Sequence, residues 1–367
     1  MKTSPKAAVE RKGNDMEGFT FYQEEGRPFQ GRKLEKMRSF LEQQGLDLDE
    51  KVQYSVILDT GEGKIAACGS RQGNVLKCIA VDPQFQGEGL MVKLMSSLMK
   101  NAWEEGITHL FVFTKPGNQG YFQELGFWPI MDTRDMLLME NKKDGIREYL
   151  KKEAAPYENR FSLKTGAIVM NANPFTKGHR YLIRQGAKQC EILHVFVLSE
   201  DASEFPAEIR MELVKKGCRD LKNVYVHGSS DYLISHATFP DYFLKDKAKA
   251  SGEVVLLDLK IFGTYFKEAF HIDRRYVGEE PFSEITRVYN EEMKKILPQY
   301  GIEVREIPRC RNGEQVISAT FVRKKFLEGD WENLKELVPE TTYAYLLSEE
   351  GKALREKLRN REKTDET

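Results

Sequence analysis

The chain has 367 residues, with 56 Lys and Arg against 57 Asp and Glu, a net charge of −1. Hydrophobic residues make up 40% and charged residues 31%, ordinary globular usage that excludes a collagenous, coiled-coil or disordered chain. The charge balance argues against a dedicated nucleic-acid binder, and at roughly 150 residues per domain the length suggests two domains.

The first 18 residues are polar and read as a flexible N-terminus. Residues 33–44 place Leu34, Met37 and Leu41 at helical spacing. Residues 52–58 and 64–70 read as two strands joined by a turn at 60–63, and residues 74–81 as a third. Residues 90–101 form an amphipathic helix and residues 109–114 a short buried strand. Residues 145–153 are helical and charged, and the stretch 145–160 reads as a linker.

Beyond it the pattern becomes strand–helix alternation. Strands are expected at 166–171, 192–199, 224–227, 275–277 and 302–307. Helices are expected at 178–190, 206–221, 282–297 and 318–328. That alternation implies parallel βαβ units and a doubly wound sheet. Residues 346–367 read as a charged tail or fraying helix. The division is thus 19–144 for one α/β domain and 161–345 for a second.

Cys68, Cys78, Cys190, Cys218 and Cys310 make no CxxC pair, so neither a disulfide framework nor a zinc site is implied, and no metal ligands are nominated. Residues 1–15 lack the apolar core of a signal peptide, and no apolar run reaches the ~18 residues of a membrane span. A cytoplasmic, reduced protein with no nucleic-acid or membrane partner is expected.

Two segments carry chemistry. The first is Gln84-Phe85-Gln86-Gly87-Glu88-Gly89, between a strand and a helix. Its glycines let a ligand approach the backbone, and the free N–H groups at the helix start face an anion such as a pyrophosphate. The run from Val81 to Leu90 resembles the coenzyme A-binding segment of the GNAT acetyltransferase family. A further resemblance lies in Glu124-Leu125-Gly126-Phe127. The resemblance implies a mixed α/β GNAT-like domain over residues 19–135, with Gln84, Gly87 and Gly89 holding a coenzyme A-like group. Active members often carry a tyrosine acid where this chain has Phe122, with Tyr121 one place earlier. Phenylalanine transfers no proton, so core packing is the reading for both rings.

The second segment is Asn171-Ala172-Asn173-Pro174-Phe175-Thr176-Lys177-Gly178-His179, running from a buried strand into a helix. Open α/β sheets bind ligands beyond the carboxyl ends of their strands, which is where Thr176, Gly178 and His179 fall. Gly178 removes a side chain where a phosphate would approach. His179, near a helix N-terminus, should stay neutral and donate to a phosphoryl oxygen. Lys177 reads equally well as a phosphate ligand or a solvated turn residue.

The segment resembles the His-x-Gly-His motif of the nucleotidyltransferase superfamily, with Thr176 in place of the first histidine. Ile317-Ser318-Ala319-Thr320-Phe321-Val322-Arg323 resembles that superfamily's Ile-Ser-Ser-Thr-x-x-Arg element. The resemblance implies a Rossmann-like domain in which His179, Thr176 and Arg323 are catalytic. Asn171, Phe175, Lys177, Gly178, Ser318 and Thr320 would bind ATP, accompanied by Mg2+.

A GNAT-like module followed by a Thr-x-Gly-His module resembles the citrate lyase ligase family. The segments Ala237-Thr238-Phe239-Pro240-Asp241-Tyr242-Phe243-Leu244-Lys245 and Val277-Gly278-Glu279-Glu280-Pro281 are similar to it too. The resemblance implies that ATP and acetate acetylate a thiol on the acyl carrier subunit of citrate lyase, through acetyl-AMP. The thiol belongs to a dephospho-coenzyme A-type prosthetic group, so no cysteine of this chain is needed as nucleophile. A bifunctional N-acetyltransferase and cofactor adenylyltransferase is the alternative.

Overall fold

The structure is a computed structural model that describes residues 7–9, 20–160, 164–198, 203–228, 231–233, 247–281, 283–312 and 315–365. Contacts divide the chain into two units: Met1–Gly145 with Phe239–Leu257, and Ile146–Thr238 with Asp258–Thr367. The expected linker at 145–160 is therefore part of the second unit from Ile146 onward. The family-like segment at 237–245, with Asp241, Tyr242 and Lys245, lies outside the described residues.

The first unit is a mixed sheet of eight strands. They are β1 (Ala7–Val9), β2 (Phe21–Gly26), β3 (Tyr54–Asp59), β4 (Ile65–Gln72), β5 (Val75–Val81), β6 (Phe111–Thr114), β7 (Trp128–Asp132) and β8 (Leu137–Glu140). Their order is β1-β2-β3-β4-β5-β6-β8-β7. Only β5 and β6 are parallel neighbours, and they pair at just Val75↔Phe111 and Leu76↔Val112 before parting. The helices are α1 (Arg32–Gln43), α2 (Leu90–Glu104) and α3 (Gln119–Glu124).

The helix α2 buries Leu90, Leu94, Met95, Leu98 and Ala102 in the core of this unit. It lies so close to β4 that a Cβ on Gly69 would meet Leu98 at 3.0 Å and Leu94 at 3.1 Å. The β7–β8 hairpin was not foreseen from the sequence. Pro129 and the mixed exposure of β7 hide its alternation.

The second unit begins with α4 (Gly145–Ala154), which buries Ile146, Leu150 and Ala154. Its sheet is β9 (Thr165–Met170), β10 (Ile192–Val197), β11 (Val224–Gly228), β12 (Arg274–Gly278) and β13 (Glu303–Ile307). All four pairings are parallel, in the order β11-β10-β9-β12-β13. The direction of winding therefore reverses between β9 and β12. That is the doubly wound parallel sheet expected from the alternation.

Connections follow the winding. After β9 comes α5 (Lys177–Ala187), and after β10 comes α6 (Ala207–Gly217). Ile183, Leu213 and Val214 from these helices pack with Leu193, Val195 and Val197 on one sheet face. Between β11 and β12 lie α7 (Lys247–Ile261), a π-helical turn at Phe262–Phe266 and α8 (Lys267–Phe270). The helix α9 (Glu284–Ile296) joins β12 to β13. After β13 come a short hairpin, β14 (Arg311–Asn312) and β15 (Gln315–Val316), then α10 (Ala319–Glu328), α11 (Trp331–Leu337), α12 (Glu340–Leu347) and α13 (Glu349–Asp365).

The last four helices form a core with Phe205, Ile317, Val322, Phe326, Leu334 and Leu358. Residues 346–365 are thus not a free charged tail. Arg355 of α13 donates to the carbonyls of Phe326 at 2.6 Å and Leu327 at 2.9 Å. Only Gly351, Leu354 and Leu358 mark its inward side, so its composition alone reads as solvated. No described helix is long and apolar enough to cross a membrane.

Because side chains alternate along a strand, His194 and Phe196 of β10 face away from α5 and α6. There His194 Nδ1 lies 2.8 Å from His227 Nε2 of β11, among the rings of Tyr157, Phe196 and Phe270. Burial, with the neighbouring imidazole, pushes His194 down to about 3. Burial, with the charge of Lys215, pushes His227 down to about 4. Unfolded, both protonate near 6.5. The folded state then binds fewer protons than the unfolded one, so the pair's stability is fully present above pH 6.5 and is lost as pH falls towards 4 and 3. Denaturant titrations from pH 7 to 4 should show stability falling by up to about 1.4 kcal/mol per pH step for each histidine. The double replacement of both histidines by glutamine should flatten that slope.

Candidate active site

Thr176 initiates α5 from an extended backbone, and its hydroxyl accepts the His179 N–H at 3.2 Å. In return, the Thr176 N–H donates to His179 Nδ1 at 3.1 Å. This is a capping box with histidine in the place usually held by glutamate. It has a chemical consequence. A Nδ1 that accepts a proton from the backbone cannot carry its own, so in the neutral ring the proton sits on Nε2. His179 therefore presents an N–H donor. Burial, and then the charge of Arg309, push its pKa down to about 4, so the ring is neutral at physiological pH. Burial leads here, where the sequence suggested the helix dipole.

Gly178 also sits at a close approach of two backbone segments. A Cβ there would meet the carbonyl oxygen of Ile317 at 3.0 Å. The close approach sets the start of α5 against the start of α10. Ser318 caps α10 by accepting the Phe321 N–H at 3.2 Å. Thr320 is exposed in the first turn. First-turn amides have no partner within their own helix, and here two helix starts lie side by side.

Arg323 joins the two segments. Its Nη1 donates to the Asn173 carbonyl at 2.8 Å, and its Nε pairs with Glu204 at 2.9 Å. Asn173 precedes Pro174 through a cis peptide, and its amide reaches Glu204 and the Phe205 N–H. Asn171 is held by Ser203 at 3.1 Å and by Arg210, whose Nη1 lies 2.5 Å from Asn171 Oδ1. Arg210 is fully buried and also donates to the carbonyls of Phe205 and Leu198.

Two nominated residues turn elsewhere. Phe175 is wholly buried, packed where a Cβ on Gly217 would strike its ring, and stacked near His179 with centroids 6.1 Å apart. Its side chain packs in the core beside the imidazole. The Lys177 amine is directed at α11, donating to the Lys335 carbonyl at 3.1 Å. Arg210 and Arg309 were missed. Arg309 follows β13, held by the Glu279 carbonyl at 2.6 Å and by the Glu280 carboxylate. Arg309 offered a signal, as a cation just beyond a strand's carboxyl end. Arg210 sits in a stretch that reads as an ordinary charged helix and offered none.

In the first unit, Gly87 has φ +89° and Gly89, the N-cap of α2, has φ +69°. Both conformations favour glycine. Gly87 faces open space, and Gln84 is exposed and bonded to Lys64. The turn sits at the carboxyl end of β5, where β5 and β6 have parted. Phe122 packs edge-on to Phe127 in the core, as expected. Tyr121 does not: it is 63% exposed.

Residues 165–346 match the family described as Citrate lyase ligase C-terminal domain, and residues 19–127 match the GNAT acetyltransferase family. A citrate (pro-3S)-lyase ligase of Klebsiella pneumoniae is 41% identical over 320 residues, 86% of this chain and 93% of that protein. One of Escherichia coli K12 is 40% identical over 326 residues, 86% and 91%. The chain belongs to the citrate lyase ligase family. Like the named members of that family, it is a ligase.

Among solved structures, Escherichia coli ElaA aligns with 33% of this chain and 99% of its own, at 13% identity and TM-score 0.28. Thermotoga maritima TmcAL bound with alpha-thio ATP aligns with 52% and 57%, at 14% identity and TM-score 0.35.

In this citrate lyase ligase family member the Ile317 contact is backbone and cannot rotate away. Gly178→Ala should therefore separate the two helix starts. The expected cost is about 1–3 kcal/mol of stability, read by denaturant titration, together with a loss of nucleotide affinity read by calorimetry.

Proposed function

We propose that the second unit adenylates acetate with ATP, giving acetyl-AMP and pyrophosphate, and that a thiol on the acyl carrier subunit of citrate lyase then takes the acetyl group. The observation that carries this reading is the pairing of two helix starts around a neutral Nε2–H donor.

In the first step an acetate oxygen attacks the α-phosphate in line, and the bond to the β-phosphate breaks. Such a transfer asks for positioning and for stabilisation of charge on the phosphoryl oxygens. His179 Nε2–H donates to one of those oxygens and keeps its proton throughout, since a base with pKa of about 4 does not capture one at neutral pH. The amides of α5 and α10 and the hydroxyls of Ser318 and Thr320 hold the polyphosphate. Thr176 contributes by fixing the imidazole. Arg323 turns from Glu204 towards the leaving pyrophosphate. Among the described residues no group of three His, Cys, Asp or Glu is placed to hold a metal. Mg2+ would accordingly come with the phosphates of ATP and reduce their charge.

In the second step the partner's thiolate attacks the acetyl carbon and AMP leaves. The first unit supplies a site for the pyrophosphate of the dephospho-coenzyme A-type arm, at Gln84, Gly87 and Gly89. The two φ values above 60° and the open space beside Gly87 support this role.

Two measurements test the reading. Acetate-dependent exchange of label between pyrophosphate and ATP should occur with the chain alone. His179→Asn and Arg323→Lys should each lower it by about 10²–10³-fold, as for a single lost donor to a transition-state oxyanion. Release of pyrophosphate only with a nucleotide-like acceptor would favour a cofactor adenylyltransferase. Separately, bulky replacements of Gly87 and Gly89 should leave exchange intact and abolish thioester formation. Unchanged thioester formation would remove the arm-binding role.

A further inference from the structure

The strands β9 and β12 pair at only two positions, Arg274↔Gly166 and Arg275↔Ala167. Beyond Arg275 they part. This is the point where the winding of the sheet reverses, and sheets of this kind take their ligands in the crevice that opens there. Arg275 is the last paired residue before the two strands part.

The neighbouring Tyr276 packs against Gly166 and Gly186 on the α5 face. By alternation Arg275 projects to the other face, under the π-helical turn. Its guanidinium carbon lies 4.1 Å from the centre of the Phe262 ring. The residue is 3% exposed. Its Nη2 donates to the Tyr289 hydroxyl at 3.3 Å, and that hydroxyl donates to Asp258 at 2.5 Å. Its Nε and Nη1 meet no acceptor among the described residues.

A buried guanidinium with two idle donors is expensive, because each lost hydrogen bond to a charged group costs more than a neutral one. If the position served packing alone, an apolar residue of similar volume would serve better. The nearby carboxylate does not relieve the charge directly. Asp258 is bonded to the Tyr289 hydroxyl and reaches Arg275 only through it. The ring under the guanidinium, Phe262, is in turn stacked on Phe266 with centroids 5.6 Å apart. Idle cationic donors beside a small apolar wall match a short-chain carboxylate, its oxygens on the guanidinium and its methyl on the rings.

We propose that Arg275 anchors a small-carboxylate subsite, with Tyr289 and Asp258 holding the guanidinium in place and the phenylalanines limiting chain length. The proposal rests on the acetate-activating reading above and names the pocket for its acid.

The test uses the full chain and two variants. Arg275→Lys keeps the charge but loses the planar fork. Tyr289→Phe keeps the ring but removes the hydroxyl that accepts from the Arg275 guanidinium and holds it in place. In the exchange assay, Arg275→Lys should raise KM for acetate about tenfold or more and Tyr289→Phe about threefold to tenfold, with KM for ATP within about twofold. Independently of turnover, acetate without ATP should give a saturation-transfer NMR signal on the wild-type chain that fades in both variants. Unchanged acetate KM, or parallel shifts in both KM values, would overturn the subsite, as would a persistent NMR signal. If Arg275→Lys does not fold, Tyr289→Phe decides by the same readings. Absence of exchange in the wild type would instead defeat the acetate-activating reading, while the NMR signal still reports on the subsite.

Discussion

Two hydrogen bonds between Thr176 and His179 hold the second unit's chemistry in place. One satisfies an orphan amide at the start of α5, and the other fixes which imidazole nitrogen bears the proton. A cap with a carboxylate in the histidine's position would start the helix equally well, but it would offer no N–H donor. The neutral imidazole satisfies the helix and leaves a donor over. Its burial then keeps it neutral. The same desolvation that penalises an imidazolium here keeps the ring an uncharged donor.

The arginines around this point follow a common rule: each is held by acceptors that leave it in a defined place. Arg210 is saturated by carbonyls and Asn171, and so serves as scaffold beneath the loop after β9. Arg323 and Arg309 are each paired with one carboxylate and one carbonyl, Glu204 with Asn173 and Glu280 with Glu279. Partly exposed pairs of this kind are weak enough to exchange a carboxylate for a phosphate. Arg275 stands apart, since its idle donors are buried rather than paired. Degree of satisfaction thus separates Arg210 from the other three.

The parallel sheet was legible because buried parallel strands and their helices announce themselves as alternating apolar runs, from β9 through α5 to β13. The hairpin of β7 and β8 was not, since Pro129 and a half-exposed strand break the alternation. The helix α13 was misread for a similar reason: a docked helix with one buried leucine and long charged side chains has almost no apolar stripe. At the site, Thr176, Gly178, His179, Ser318 and Arg323 were legible as motifs, and the structure brings them to one place. Phe175 and Lys177 were nominated by adjacency, yet adjacent residues at a helix start point in different directions. Arg210 and Arg309 are set by contacts 39 and 30 residues away in sequence, which no local pattern encodes.

The glycines of the two candidate sites sharpen the same distinction. Gly87 and Gly89 are glycines because of backbone angle, with open space where the side chain of Gly87 would be. Gly178 is a glycine because of proximity, with an ordinary angle and a carbonyl 3.0 Å from the missing Cβ. The first kind shapes a surface turn that a ligand can approach from solvent. The second holds two parts of the chain together, so that residues 139 positions apart, from Gly178 to Ile317, act as one cradle. A sequence motif records both as the same letter. The physical difference decides which substitution loosens a ligand and which loosens the site itself.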